Sequence, residues 1–222
     1  MKSTFSKGWL SILIVLAVLI IDQIVKIEVK TNMSYGESIR ITDWFYIHFV
    51  ENNGMAFGMQ ILPKVIQTIL RILFSGVIIW YISILAKADY KRGYIVCVSL
   101  ILAGAIGNII DSIFYGVIFS KSTFTEIATF VPVGHGYADW LYGKVVDMLH
   151  FPLFEFNWPD WIPFIGGNHF LFFSPVFNIA DAAISCGIFI LILFYSRSFN
   201  NSFHLVKTEF QNLLKKNDSQ TH

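Results

Sequence analysis

Two pairs of asparagine and aspartate, each with N-x-x-D spacing, are the side chains best placed for chemistry. Asn178 and Asp181 lie in the stretch FNIADA within the last long apolar run, and Asn108 and Asp111 repeat the spacing in an earlier run. Residues three apart share one face of a helix, so each pair is predicted to present its polar groups together. An ionised aspartate at the centre of a bilayer costs roughly 2.5 to 3.5 kcal/mol on insertion scales, so each needs a partner or a task.

Further charged residues join this set. Asp22 and Lys26 close the first apolar run at i, i+4 spacing, the favourable order for a helical ion pair. Counting the helical rise along each run places Asp22, Asp111 and Asp181 at similar depth. The alternative for the first pair is an interfacial contact whose lysine snorkels to water. Asp147 lies in the short apolar run KVVDML of an outer connection, which we predict dips back to the membrane.

The chemistry that such a set supports is hydrolysis. Two close aspartates cannot both ionise cheaply, so one holds a proton while the other activates water against a peptide carbonyl. Helix spacing alone favours Asp111 as the partner of Asp181. The sequence contains no zinc-binding H-E-x-x-H, no G-x-S-x-G elbow and no glycine-rich phosphate loop. The alternatives are a carrier or channel that uses the carboxylates as a proton or ion relay, and a non-catalytic membrane assembly factor.

Composition predicts a mostly α-helical membrane protein that positions these groups. The 222 residues are 55% hydrophobic and only 14% charged. A membrane span needs about 20 apolar residues, and four windows satisfy this: 9–29, 64–86, 94–118 and 175–195. Ser174 and Pro175 are a good N-cap and first position for the last helix, and Ala103 and Gly107 give the third span a small face for helix packing. The net charge of +1 implies nothing about nucleic acid, and the lack of a basic stripe predicts no nucleic-acid partner.

The distribution of lysine and arginine predicts the orientation of the chain. Basic residues concentrate at the N-terminus, in the link between spans two and three, and in the C-terminal tail, whereas residues 119–174 hold two lysines and five acids. The positive-inside rule therefore places both termini in the cytoplasm. Residues 199–222 are predicted to form an amphipathic helix on the inner surface. Cys97 and Cys186 fall within spans, so we expect neither a disulfide framework nor a thiolate metal site.

The outer connections have their own patterns. Residues 35–59 alternate apolar and polar side chains, which predicts a small outer β-sheet. The following Asn53 and Gly54 indicate either a hairpin turn or a backbone segment held close to a ligand. The long outer insert, 119–174, is rich in proline and tryptophan and lacks a helical period, which favours a lid or an interfacial platform over a free loop.

Five sequence blocks in order resemble the lipoprotein signal peptidase family, also called type II signal peptidase. They are the D-x-x-x-K block Asp22 to Lys26, the N-x-G-x-A-F block assigned to Asn53 to Phe57 and called the Asn-Gly block, the A-G-A-I-G-N-x-x-D block Ala103 to Asp111, the V-V-D block Val145 to Asp147, and the F-N-x-A-D block Phe177 to Asp181. The resemblance implies four spans, a small outer sheet and an outer arm, in one membrane peptidase domain covering 1–222.

The resemblance also implies a function and a site. It indicates an intramembrane aspartyl endopeptidase that removes the signal peptide from prolipoproteins bearing a diacylglyceryl cysteine, cleaving just before that cysteine. It implies no metal or organic cofactor, a monomer in the membrane lipid of the bacterial inner membrane, and an active site toward the outer leaflet. The implied catalytic dyad is Asp147 and Asp181. The implied supporting residues are Asn108, Asp111 and Asn178 for orienting the dyad and substrate, Asn53 with Gly54 for the substrate backbone, and Asp22 with Lys26 for the substrate pocket.

Two departures from the family pattern carry expectations. Ser112 stands where the family usually has arginine, so a charge that pairs with Asp111 must come from elsewhere or be absent. The connection from Asp111 to Asp147 is also longer than the family's usual link.

Overall fold

The computed structural model describes residues 6–54, 62–172 and 175–218. Parts of four predicted features therefore lie outside the described residues: positions 55–59 of the outer sheet, positions 55–57 of the Asn-Gly block, Ser174 and the last four residues of the tail.

Among the described residues, four helices are long and apolar enough to cross a membrane, which confirms the four predicted spans. Helices α1 (Lys7–Asn32) and α2 (Lys64–Lys87) are continuous. Helix α3 (Arg92–Ile110) continues through a π-helical turn (Asp111–Tyr115) into a last short turn, α4 (Gly116–Ile118). Helix α5 (Ile179–Asp218) forms the fourth.

The fourth helix begins four residues later than the sequence predicted. Val176–Phe177 form a short strand, and α5 starts at Ile179. Backbone pairing of Phe177 with Leu149 and of Val176 with His150 outweighs the helix-start signal of Ser174 and Pro175. Asn178 therefore precedes the helix, and the prediction that Asn178 and Asp181 share one helix face is wrong.

The C-terminal tail also differs from its prediction. The separate amphipathic helix expected over 199–222 is the continuation of α5, which runs without a break to Asp218. Phe199 and Phe203 on this extension pack edge to face at 4.8 Å between ring centroids. No proline or glycine interrupts residues 188–218, so nothing in the sequence ends the helix at the membrane surface.

A small sheet is present within the described part of the predicted range and includes more strands than predicted. Strands β1 (Ser38–Thr42) and β2 (Phe45–Asn52) form an antiparallel hairpin whose turn lies at residues 43–44, before the Asn53-Gly54 position considered for a turn from the sequence. Two strands from the second outer connection join it, β3 (Val145–His150) and β6 (Val176–Phe177), in the order β1-β2-β3-β6. Strands β4 (Phe154–Asn157) and β5 (His169–Phe172) pair separately. Residues 145–148 of β3 are all buried, so the strand lacks the alternation that would have revealed it.

The chain divides into two compact units. The helical unit comprises residues 1–21, 69–109 and 180–222, and its core packs α2 against α3 through Leu85, Tyr94 and Ile95. The sheet unit comprises residues 22–68 and 110–179, and its core includes Phe49 and Val146 of the sheet.

Gly143 is required where the chain enters β3. A Cβ at this position would lie 2.1 Å from the backbone oxygen of Asp111 and 2.9 Å from the backbone nitrogen of Gly116. Because both neighbours are backbone atoms, we expect Gly143→Ala to lower the free energy of unfolding by about 1 to 3 kcal/mol. Thermal unfolding in detergent measures the change. Gly76→Ala is the matched control, since a Cβ there meets nothing within 4 Å; equal midpoints for both variants would contradict the prediction.

The outer sheet contains a pH-sensitive position. Burial lowers the pKa of His150, and the nearby His48, with ring centroids 5.8 Å apart, lowers it further. The unfolded chain protonates near pH 6.5 and so binds this proton more readily than the folded chain. Stability is therefore expected to fall as the pH drops below about 6.5, with no contribution from this group above that value. Unfolding midpoints across this range should depend less on pH in His150→Asn; an unchanged dependence would refute this origin.

Candidate active site

Asp147 is buried and held at both carboxylate oxygens. Asp147 is only 1% exposed. Asn52 Nδ2 donates a hydrogen bond to Oδ2 at 3.1 Å, and Asn178 Nδ2 donates to Oδ1 at 2.6 Å. Because each of its two oxygens accepts a hydrogen bond from a side-chain amide, the carboxylate has a defined orientation.

The sheet order explains how these two amides reach Asp147. Strand β3 lies between β2 and β6. Asn52 is the last residue of β2, and Asn178 directly follows β6. An asparagine therefore lies at the end of β2 and another directly after β6, and both donate to Asp147 on the strand between them.

Asp181 lies in the first turn of α5 and is partly buried. Asn108 Nδ2 of α3 donates a hydrogen bond to its Oδ1 at 2.7 Å. The two helices approach closely here, since a Cβ on Gly104 would lie 2.1 Å from the backbone oxygen of Ala180. The close contact is thus at Gly104, between the two small residues, Ala103 and Gly107, that the sequence indicated.

Asp22, Lys26 and Asp111 form a buried ionic cluster. Lys26 Nζ lies 2.9 Å from Asp22 Oδ2 and 2.9 Å from Asp111 Oδ2, and all three side chains are 0% exposed. The alternative of an interfacial, snorkelling pair is therefore wrong. Gln23 Nε2 donates to both carboxylates, at 3.1 Å to Asp22 and 3.0 Å to Asp111, so the acids share a neutral donor as well as the cation.

Asp111 also connects this cluster to β3. Its Oδ2 accepts a hydrogen bond from the backbone N–H of Val146 at 3.2 Å. Val146 directly precedes Asp147, so the cluster fixes the backbone next to the buried carboxylate.

The π-helical turn that begins at Asp111 separates the roles of the N-x-x-D pair in α3. Asn108 bonds Asp181, whereas Asp111 bonds Lys26. A π-turn contains one extra residue relative to the regular helix and so redirects the side chains that follow it; such turns are frequent at functional sites. The expectation that Asn108 and Asp111 act on one face is therefore replaced by two separate sets of contacts.

The charge missing at Ser112 is supplied from elsewhere. Lys26 pairs with Asp111, and Lys64 Nζ donates to Ser112 Oγ at 3.1 Å and to the backbone oxygen of Asn53 at 3.1 Å. The lysine at the start of α2 thus joins the segment after β2 to the π-turn.

A second buried ion pair, between Lys30 and Glu51, was not predicted from the sequence. Lys30, 0% exposed, pairs with Glu51, which also lies 3.4 Å from Lys144. Lys30 Nζ donates to Ser122 Oγ at 3.0 Å and lies 5.0 Å from the ring centroid of Tyr137. The signal was present, since Lys30 repeats the four-residue spacing of Asp22 and Lys26 along α1.

Asn52 was also missed. The sequence prediction chose Asn53, but in the structure the side chain of Asn52 binds Asp147, and the backbone oxygen of Asn53 accepts a hydrogen bond from Lys64. Counted back from Phe57, the six-residue spacing N-x-G-x-A-F begins at Asn52, so the spacing itself could have identified it. Gly54, with φ +90°, donates its N–H to Asn52 Oδ1 at 2.6 Å and orients that amide.

Comparison with protein families gives one match over most of the chain. The family described as Signal peptidase (SPase) II matches residues 14–197. A lipoprotein signal peptidase of Porphyromonas gingivalis is 46% identical over 197 residues, covering 88% of this chain and 87% of that protein. A lipoprotein signal peptidase of Amoebophilus asiaticus is 39% identical over 194 residues, covering 84% of this chain and 78% of that protein.

The similar solved structures include two bacterial membrane enzymes. One is a bacterial membrane enzyme solved by the in meso method at 2.3 Å, with a TM-score of 0.58, 25% identity, and coverage of 86% of this chain and 90% of the other. A second bacterial membrane enzyme, at 1.9 Å, gives a TM-score of 0.54 and 27% identity over 82% of this chain and 90% of the other.

Proposed function

The chain belongs to the signal peptidase II family, membrane peptidases that process lipoprotein signal peptides, and from this premise we propose that Asp147 and Asp181 carry out the hydrolysis as a pair. The observation that carries the proposal is the binding of Asp147 at both oxygens by Asn52 and Asn178. Asp181 lies three residues after Asn178, in the first turn of α5. The residue that donates a hydrogen bond to Asp147 is therefore close in the chain to the second aspartate.

The proposed mechanism uses one proton shared by two carboxylates. The ionised aspartate takes a proton from water, whose oxygen bonds to the scissile carbonyl carbon, while the protonated aspartate donates a hydrogen bond to the carbonyl oxygen. The carbon–nitrogen bond then breaks, and a proton passes to the departing amine. Cleavage just before the diacylglyceryl cysteine leaves that residue with a free amino group at the N-terminus of the mature lipoprotein.

Other residues are proposed to position this pair. Asn52 and Asn178 fix Asp147, and Asn108 fixes Asp181. The cluster of Asp22, Lys26 and Asp111 holds the backbone at Val146. Asn53 and Gly54, in the segment that follows β2, are proposed to face the substrate backbone.

The family and its apolar helices support a multi-pass protein of the bacterial inner membrane. We propose that both termini are cytoplasmic and that the site faces the outer leaflet. Lys7 Nζ lies 2.7 Å from Asp89 Oδ1 in the α2–α3 link, which places the N-terminus at the same end of the helical unit as that basic link and supports the orientation.

The two neighbouring asparagines should behave differently. Asn52→Ala removes a donor to Asp147 and is expected to lower kcat by about tenfold, the equivalent of one hydrogen bond of about 1.4 kcal/mol. Asn53→Ala retains its backbone oxygen and is expected to act mainly on KM. Steady-state cleavage of a lipidated precursor measures both; a larger kcat loss in Asn53→Ala would instead support the prediction from the sequence.

Cleavage of a purified diacylglyceryl prolipoprotein tests the proposed function. The protein in detergent should convert the precursor to a faster-migrating form on a gel, and globomycin, the family's cyclic peptide inhibitor, should block the conversion. The matched substrate control is the same precursor without the diacylglyceryl group, which should remain intact. If the protein is folded but does not convert the lipidated precursor, the proposal is overturned.

A further inference from the structure

A pocket of about 170 Å³ lies at the start of α2 within the sheet unit. Its lining combines apolar walls with polar groups: Asn53, Leu62, Pro63, Lys64, Gln67 and Tyr142. An apolar cavity of about 150 Å³ in a protein can hold a molecule as large as benzene. The volume here is therefore sufficient for one amino-acid side chain of moderate size.

Gln67 has a buried acceptor that has no partner among the residues that the structure describes. Its Nε2 donates to the backbone oxygen of Leu62 at 2.6 Å, which fixes the amide orientation. The residue is 9% exposed, and Gln67 Oε1 has no hydrogen-bond donor among the described residues. A buried carbonyl oxygen left unsatisfied is unfavourable by roughly 1 to 3 kcal/mol, so native structures rarely keep one without a role. An N–H group brought by a ligand would satisfy it.

The pocket is close in the chain to the proposed catalytic carboxylate. Asn53 follows Asn52, whose amide binds Asp147. Lys64 bonds the backbone oxygen of Asn53 and the hydroxyl of Ser112. Ser112 in turn follows Asp111, which accepts from Val146. Both connections lead from the pocket wall to the residues beside Asp147 and lie within one unit.

We propose that this pocket is a subsite for one residue of the peptide substrate. Gln67 Oε1 accepts the backbone N–H of that residue, and Leu62, Pro63 and Tyr142 enclose its side chain. The inference rests on the proposed function, since it assigns a peptide to the pocket because the reaction acts on one. A peptide backbone fits better than an anion, because the unsatisfied atom is an acceptor that requires a donor, and an anion provides none.

Backbone methylation of the substrate tests the subsite. A set of lipidated precursor peptides, each N-methylated at one peptide bond before the cysteine, lacks one N–H at a time. In the wild-type enzyme one of these peptides should show KM raised about 3- to 10-fold with kcat unchanged, the loss of one hydrogen bond. In Gln67→Leu the same methylation should have no further effect, whereas Gln67→Glu, which keeps an acceptor oxygen, should retain the penalty.

Thr68→Val is the matched control at the next position. Its hydroxyl bonds the backbone oxygens of Lys64 and Leu141, and Thr68 does not line the pocket. This variant should show the wild-type methylation penalty. Thermal midpoints of all variants separate folding from binding, and a Gln67→Glu enzyme that folds keeps the test decisive if Gln67→Leu does not.

The outcomes are distinguishable. A methylation penalty that remains in Gln67→Leu at every position would overturn the subsite while leaving the peptidase function intact. A wild-type enzyme that does not cleave the unmethylated peptide would instead overturn the proposed function. We expect that methylation at one peptide bond raises KM in the wild type and in Gln67→Glu, and that this increase is absent in Gln67→Leu.

Discussion

Replacing Asp147 by asparagine is expected to lower the rate of precursor cleavage by about 10²- to 10⁴-fold, the range for loss of a general acid or base. Asparagine has nearly the same shape, so the sheet and the amides of Asn52 and Asn178 remain in place, but it cannot accept the proton that activates water. Asp181→Asn should have an effect of similar size. If the two residues act as a unit, the double variant should be little worse than either single one.

Single-turnover cleavage with saturating enzyme measures this effect on the chemical step, and a thermal midpoint near that of the wild type shows that the fold is retained. Asp139→Asn provides the matched control, since Asp139 is an exposed aspartate of the same sheet unit. Wild-type turnover in either Asp147→Asn or Asp181→Asn would refute the dyad. Additive losses in the double variant would show that the two carboxylates act in separate steps.

The helices were predictable from the sequence because about 20 consecutive apolar residues have few alternatives to a membrane span. Strand structure in residues 38–52 was predictable for a similar reason, since its alternation of apolar and polar residues is local, although the position of the hairpin turn was not predicted. The similar depth of Asp22, Asp111 and Asp181 was derived from helical rise and stays a prediction. These features depend on residues that are close in sequence.

The position of Asp147 depends on residues that are distant in sequence. Asn52, its donor, is 95 residues away, and periodicity cannot indicate such a pairing. Strand β3 is buried throughout its first four residues, so it shows no alternation, and only the family resemblance made its aspartate the partner of Asp181. The start of α5 was misplaced for the same reason, because the competing strand pairing with Leu149 is a long-range contact.

The buried lysines show which ion-pair partners can be predicted from sequence and which cannot. The i, i+4 spacing of Asp22 and Lys26 predicted their ion pair correctly, but it could not reveal that Asp111 shares the lysine. Lys30 was overlooked because its partner, Glu51, lies on a strand rather than on the same helix. For a side chain with one local and one distant partner, the sequence therefore predicts the local partner only.

Lys26→Met is expected to destabilise the protein by about 3 to 5 kcal/mol, because it leaves two fully buried carboxylates without their shared cation. Methionine fills most of the volume, so the effect reports charge rather than packing. Equilibrium unfolding in detergent, followed by tryptophan fluorescence, measures the change. Lys87→Met, at the exposed end of α2, should change stability by no more than about 0.5 kcal/mol.

A compensating variant distinguishes the ionic explanation from any other effect of removing the lysine. Combining Lys26→Met with Asp22→Asn and Asp111→Asn removes all three charges and should recover most of the lost stability, since a neutral cluster in a buried site has no charge to leave unpaired. Gln23 can still donate to the amide oxygens that replace both carboxylates. If the triple variant is as unstable as Lys26→Met, the lysine acts through packing. Recovery of stability without recovery of activity would show that the charges of this cluster serve the orientation of Val146 and Asp147 beyond their role in the fold.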